Sequence, residues 1–120
     1  MANILAVDDS SSMRKMVAFT LKLAGHDVDE AGDGKHALEI ASQKQFDLVL
    51  TDLNMPVMDG LNLTRELRTI PEYRSTPIVV LTTEAGLDKK QAGREAGATG
   101  WLVKPFSSEQ LLSLVEKVLG

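Results

Sequence analysis

The chain has 120 residues, 43% of them hydrophobic and 25% charged, a balance that fits one globular domain and excludes an intrinsically disordered chain. It contains no cysteine, which excludes disulfides, thiolate zinc sites and cysteine nucleophiles. The net charge of −4 argues against a nucleic-acid partner, and the acidic excess is local, because residues 1–60 carry 10 acidic and 5 basic side chains.

Four short apolar runs predict the strands of a parallel sheet. They are continuous rather than alternating, as expected where both faces of a sheet are covered, and they span residues 4–7, 48–50, 78–81 and 101–103. Residues 27–30 form a weaker candidate, polar enough for an edge strand. A membrane helix needs about 20 apolar residues, so we expect no membrane segment or signal peptide, and a cytoplasmic location.

Helical patterns lie between these runs. Their apolar positions predict helices over residues 13–24, 37–41, 61–70 and 111–119, and a further helix is expected over residues 87–97. Ser107 and Gln110 form a predicted capping box before the last helix. The helix over 87–97 has one large apolar residue and several cations (Lys89, Lys90 and Arg94), which indicates either a solvated helix or a mobile partner-binding surface. Strands that alternate with helices predict βαβ units and an α/β fold.

A reactive side chain follows each apolar run. In open α/β sheets, sites form outside the carboxyl ends of the strands, where this sequence places Asp8, Asp9, Asp52, Thr82, Thr83 and Lys104. Two carboxylates about 4 Å apart repel by roughly 4 kcal/mol at an effective dielectric near 20, so the group either holds a proton or binds a cation. Oxygen ligands without histidine or cysteine favour Mg²⁺, with Mn²⁺ as an alternative.

Asp52 is the best candidate for a nucleophile, since it ends the central run. A magnesium ion held by carboxylates usually completes its shell with water and phosphate oxygens, which indicates phosphate chemistry. A carboxylate can accept a phosphoryl group as an aspartyl phosphate. Lys104 and Thr82 are suited to neutralise and hydrogen-bond the incoming oxygens.

These residues resemble a response-regulator receiver domain over essentially the whole chain, and in particular the single-domain chemotaxis regulators. Four motifs carry the resemblance: VDDS at 7–10, DLNMPVMDG at 52–60, LTTEA at 81–85 and KPF at 104–106. The resemblance implies a flavodoxin-like (βα)5 three-layer sandwich with a five-stranded parallel sheet in the order 2-1-3-4-5. It also implies that residues 1–120 form one monomeric receiver domain without an output domain, a signalling protein that catalyses only its own phosphorylation and dephosphorylation.

The resemblance further implies roles for individual residues. Asp52 would be the phosphoacceptor, with Thr82 and Lys104 as its catalytic partners. The metal ligands would be Asp8, Asp9, Asp52 and the backbone carbonyl of Asn54. The phosphoryl-binding and switch residues would be Asn54, Thr82, Thr83, Trp101, Lys104 and Pro105. Asn54 and Glu84 match the pair that tunes the lifetime of the phosphoryl group and imply a short one.

Trp101 departs from the family pattern, which usually has tyrosine at this position. The resemblance implies that the aromatic ring turns inward behind Thr82 on phosphorylation, and a larger ring is expected to bias or slow that rotation. The alternative is an ordinary half-buried tryptophan at the start of a strand. The Lys104–Pro105 bond resembles the cis peptide of the family.

By resemblance, the function is a two-component phosphorelay in chemotaxis. A histidine kinase would donate the phosphoryl group, a flagellar motor switch protein would be the target, and a phosphatase would be a further partner. A phosphate sink or relay intermediate is the alternative within this fold. An aspartate-nucleophile phosphatase needs an acid two residues after its nucleophile, where this chain has Asn54. A flavin or nucleotide binder is disfavoured because no glycine-rich phosphate loop is present.

Overall fold

The chain folds into five strands and five helices that alternate along the sequence. The structure is a computed structural model, and it describes residues 2–83 and 87–120. The strands are β1 Asn3–Val7, β2 Asp27–Ala31, β3 Leu48–Asp52, β4 Ile78–Thr82 and β5 Gly100–Val103. The helices are α1 Ser11–Leu23, α2 Gly34–Gln43, α3 Gly60–Arg68, α4 Leu87–Ala96 and α5 Ser108–Leu119, with a 3-10 turn at Pro71–Tyr73.

All strand pairs are parallel, and the order β2-β1-β3-β4-β5 confirms the predicted flavodoxin-like topology. The polar strand β2 lies at the edge, as predicted. The register aligns the carboxyl ends of the central strands: Val7 pairs with Thr51, and Asp52 pairs with Leu81. Strand β3 therefore carries Asp52 between the ends of β1 and β4.

Alternate residues of the strands pack into two separate cores, one on each face of the sheet. Ile4 and Ala6 belong to the core that includes residues of α1 and α5, whereas Leu5 and Val7 belong to the core that includes residues of α2 and α3. A fully buried leucine or isoleucine contributes about 1.5–3 kcal/mol. Burial on both faces explains why the strands read as unbroken apolar runs.

The helix ends follow local chemistry. The capping box of Ser107 and Gln110 is formed at the start of α5, as predicted. Helix α3 ends at Arg68, two residues earlier than predicted, because Ile70 precedes a proline and takes an extended conformation (φ −89°, ψ 120°). Helix α4 forms where a helix with few apolar residues was predicted, and Gly97, at a φ of 104°, follows its last residue. Across the described ranges, no helix has the length and apolar character that a membrane crossing requires.

Candidate functional site

Three carboxylates meet at the carboxyl edge of the sheet. Asp8 and Asp9 follow β1 and Asp52 ends β3, and each offers an oxygen within 4.8 Å of the other two. Asp8 is buried, with 3% of its surface exposed, whereas Asp9 is exposed and Asp52 lies between these extremes. The structure therefore brings together the acidic side chains that the strand-end pattern selected, and it leaves the cluster open to solvent on the Asp9 side.

Asp8 is fixed by hydrogen bonds to its backbone and its side chain. Its amide donates to the carbonyl of Ala31 (3.1 Å), and its Oδ1 accepts from the amide of Ser10 (2.9 Å). Its carbonyl accepts from Nη1 of Arg14 (2.8 Å), while Nε of Arg14 pairs with Glu30 (3.1 Å). Arg14 and Glu30 were not predicted as site residues. Together they attach the turn after β1 to helix α1 and strand β2.

Lys104 joins the two less exposed carboxylates. Its Nζ donates to Oδ1 of Asp52 at 3.0 Å and to Oδ2 of Asp8 at 3.2 Å, with only 14% of the lysine side chain exposed. Its amide donates to the carbonyl of Thr82 (2.7 Å), which ties the end of β5 to the end of β4. The peptide bond from Lys104 to Pro105 is cis, in agreement with the resemblance. The ammonium thus bridges two of the three predicted carboxylates.

The electrostatics of the cluster are dominated by partial burial. Burial raises the pKa of Asp52, and the charge of Asp8 adds to this effect, while the hydrogen bond from Lys104 opposes it. Burial alone lowers the pKa of Lys104, but the hydrogen bonds and charges of Asp52 and Asp8 outweigh burial and raise it. Lys104 is therefore cationic at neutral pH. Three ionised carboxylates and one ammonium carry a formal charge of −3 + 1 = −2.

This donor set fits a hard divalent cation. The cluster consists of three carboxylates, its formal charge matches an ion of charge +2, and it contains neither histidine nor cysteine. Mg²⁺ is characteristically held by one or two carboxylates with water and phosphate oxygens in the remaining positions. Asn54 is exposed in the loop that follows β3.

The loop from β3 to α3 is held close to the phosphoacceptor candidate by a glycine. The amide of Gly60 donates to the carbonyl of Leu53 (2.8 Å), and a Cβ at position 60 would lie 2.3 Å from the carbonyl oxygen of Asp52. No other residue fits at this position without displacing the backbone of Asp52. Asp59 caps α3 by accepting from the amide of Asn62 (2.8 Å). The close approach of Gly60 to Asp52 was not predicted from the sequence.

The remaining candidates lie around the ends of β4 and β5. Thr82 is buried, Thr83 and Pro105 are exposed, and Trp101 is half-buried. Val80 pairs with Trp101, and two residues further on Thr82 pairs with Val103. Because paired residues of parallel strands share a face and side chains alternate, Thr82 and Trp101 lie on the same face of the sheet. Glu84 falls outside the described residues.

Comparisons with known proteins agree with this geometry. The family model of the response regulator receiver domain matches residues 4–116. A chemotaxis protein CheY homolog of Campylobacter jejuni is 39% identical over 119 residues, which cover 98% of this chain and 92% of the relative. The solved structure of the Vibrio cholerae chemotaxis protein CheY4 is 50% identical, with a TM-score of 0.97 and 99% of each chain covered.

A third comparison bears on the metal. The receiver domain of the sensor histidine kinase PA1611 from Pseudomonas aeruginosa is 30% identical, with a TM-score of 0.92. The aligned region covers 99% of this chain and 98% of the PA1611 receiver chain. Its structure contains a magnesium ion coordinated in the active-site cleft. The similarity extends over nearly all of both chains, so it includes the edge of the sheet that carries the acidic cluster.

Proposed function

The chain belongs to the response regulator receiver family, and from this premise we propose that it accepts a phosphoryl group on Asp52 from a histidine kinase. The family is one of signalling proteins rather than conventional enzymes. The observation that carries the proposal is the position of Asp52. It ends the central strand, lies within the carboxylate cluster and accepts a hydrogen bond from Lys104.

The residues around Asp52 suit an in-line phosphoryl transfer. A carboxylate oxygen of Asp52 would attack the phosphorus of a phosphohistidine, the P–N bond would break, and the released imidazole would take up a proton. Lys104 would stay hydrogen-bonded at the acceptor and stabilise negative charge on the phosphoryl oxygens. The Thr82 hydroxyl, at the end of the neighbouring strand, would donate to one of those oxygens.

A bound Mg²⁺ would neutralise phosphoryl charge, with Asp8, Asp9, Asp52 and the backbone carbonyl of Asn54 as its protein ligands. Asp8 is held for this role by Ser10, Arg14 and Lys104. The exposure of Asp9 keeps one side of the cluster accessible to a phosphodonor. Asn54 and Glu84 would tune the lifetime of the phosphorylated state.

Chemotaxis is the pathway that the relatives favour. The Campylobacter jejuni and Vibrio cholerae proteins are chemotaxis proteins, so a chemotaxis kinase would be the donor and a flagellar motor switch protein the target. Lys90 and Arg94 are exposed on α4 and suit an acidic partner. A pull-down with a motor switch protein would test this role. Binding that strengthens with beryllofluoride supports motor control, whereas no binding in either state favours a phosphate sink.

Trp101, the only tryptophan, offers a direct test of the acceptor. Mg²⁺ would be titrated first and acetyl phosphate or beryllofluoride added next, with fluorescence recorded for wild type and for Asp52→Asn. We expect a saturable Mg²⁺ response and a donor-dependent change that Asp52→Asn abolishes. Asp33→Asn is the matched control, because Asp33 caps α2 and is not a member of the carboxylate cluster, and asparagine caps equally well. A donor response that persists in Asp52→Asn would refute Asp52 as the acceptor.

A further inference from the structure

Helix α4 has little apolar surface of its own with which to pack. Its described side chains, at residues 90–96, include no large apolar residue, and its buried positions are Gly93 and Ala96. Lys90 and Arg94 point to the solvent side. Since helices in proteins are stabilised mainly by packing of an apolar face, α4 depends on apolar groups that reach it from other elements.

The indole of Trp101 is such a group, and it lies against the backbone of Gly93. A Cβ at position 93 would be 2.7 Å from Cζ3 and 3.1 Å from Cε3 of Trp101, whereas carbon atoms in favourable contact are about 3.5–4.0 Å apart. The next atom, Cδ2 of Leu61 on α3, would be 3.8 Å away. Glycine is therefore the residue that lets the indole pack directly on α4.

The same tryptophan shares a sheet face with Thr82, the hydroxyl next to the proposed acceptor. Thr82 ends β4, and only four residues along the chain separate it from the start of α4 at Leu87. Trp101 on β5 pairs with Val80, two residues before Thr82. The end of β4 is therefore joined to helix α4 by the chain, α4 contacts the indole by packing, and the strand that carries the indole pairs with β4.

We propose that Gly93 is a positioning residue that fixes α4 on the Trp101 indole, so that the indole and the helix can change position only together. The inference rests on the proposed function, because it links this pair to occupancy of Asp52 by a phosphoryl group. Coupling between two sites is reciprocal. If occupancy of Asp52 moves this pair, a side chain at position 93 that displaces the indole alters the affinity of the Asp52 site for a phosphoryl analogue.

The test measures beryllofluoride affinity in excess Mg²⁺ by fluorine NMR, which does not depend on tryptophan fluorescence. Gly93→Ala is expected to change the affinity about fivefold or more, within the usual range of coupling between sites. Gly100→Ala is the matched control, since its Cβ would meet only Cγ2 of Val79, at an ordinary 3.5 Å. In the Trp101→Tyr background, Gly93→Ala should have less than about a twofold effect, because tyrosine lacks the fused ring that contains Cε3 and Cζ3.

An unchanged affinity in Gly93→Ala, or an equal change in the Trp101→Tyr background, would overturn the proposal. Failure of the wild type to bind beryllofluoride would instead contradict the proposed function. In that case, unfolding in urea tests the contact between Gly93 and the Trp101 indole on its own. Alanine is otherwise the better helix former. Gly93→Ala should therefore raise the urea midpoint in the Trp101→Tyr background and lower it in the wild type, and the same sign in both backgrounds would refute the packing argument.

Discussion

Replacing Lys104 with methionine tests whether this ammonium holds the acidic cluster together. Methionine keeps an unbranched apolar chain but removes the charge that contacts Asp8 and Asp52. At an effective dielectric near 20, each contact of about 3 Å corresponds to roughly 5 kcal/mol of attraction. The desolvation of the ammonium opposes much of this. Because loss of one partner leaves a buried charge uncompensated, we expect Lys104→Met to lower the free energy of unfolding by about 3 kcal/mol at pH 7 in EDTA.

The pH dependence of this loss has a definite sign. The pKa of Lys104 is raised in the fold, so its contribution to stability is complete below its ordinary pKa and is lost only as the pH rises through the folded pKa. The loss in Lys104→Met should shrink below neutral pH for a different reason. Asp52, whose pKa is raised by burial, takes up a proton there and no longer repels Asp8. The loss should also shrink in saturating Mg²⁺, which replaces the missing positive charge.

Urea denaturation followed by circular dichroism, with EDTA or with Mg²⁺, measures these effects. Lys90→Met is the matched control, because Lys90 is exposed on α4 and should tolerate the change within about 0.5 kcal/mol. Equal stability of Lys104→Met and wild type in EDTA would refute the idea that the lysine compensates the carboxylates. A loss that Mg²⁺ does not reduce would show that the side chain acts through packing instead.

Three further predictions concern single residues at this edge of the sheet. Asp52→Asn should raise the urea midpoint in EDTA at pH 7, since burial disfavours the ionised form of Asp52. The difference in midpoint between variant and wild type should narrow toward pH 4, and a lower midpoint for the variant at pH 7 would contradict the reasoning. Val57→Gly should stabilise the protein by about 1 kcal/mol in chemical denaturation, because a β-branched residue is strained at the φ of 70° that Val57 adopts, and its side chain is 78% exposed. A loss of stability would show that the Val57 side chain makes contacts that outweigh this strain. Arg14→Met should weaken Mg²⁺ binding in calorimetry, because the guanidinium fixes Asp8 by donating to the backbone carbonyl of Asp8. Removal of a positive charge alone predicts tighter Mg²⁺ binding. Tighter binding would therefore refute the positioning role of Arg14.

The strands and the acidic cluster were predictable because their causes are local in the sequence. Strands buried on both faces must be continuously apolar, and the carboxyl ends of parallel strands must meet at one edge. The strand ends were less predictable. Asp52 and Thr82 belong to β3 and β4, since the hydrogen-bonded ladder continues past the last apolar residue. Polarity alone places the end of β3 two residues too early and the end of β4 one residue too early.

The residues that the sequence did not identify owe their roles to partners in other elements. Arg14 meets Glu30 from a position 16 residues away, on a different element, so no helical or strand periodicity relates them. Gly60 and Gly93 are required by the carbonyl of Asp52 and by the indole of Trp101. In each case the signal is a distance between elements, which composition and spacing do not contain.

Under the proposed function, the charge of the site gives a physical reason to expect a conformational change on phosphorylation. Three carboxylates and one ammonium sum to −2, which a divalent cation balances. An acyl phosphate on Asp52 would replace one negative charge by about two, so the balanced site would gain a negative charge and further acceptor oxygens. Lys104 already lies at the acceptor, so the new oxygens require a donor from elsewhere, and the Thr82 hydroxyl lies at the end of the adjacent strand. Movement of Thr82 would then reach α4 and Trp101 through the chain and the sheet, which is how a local change of charge would alter a distant binding surface.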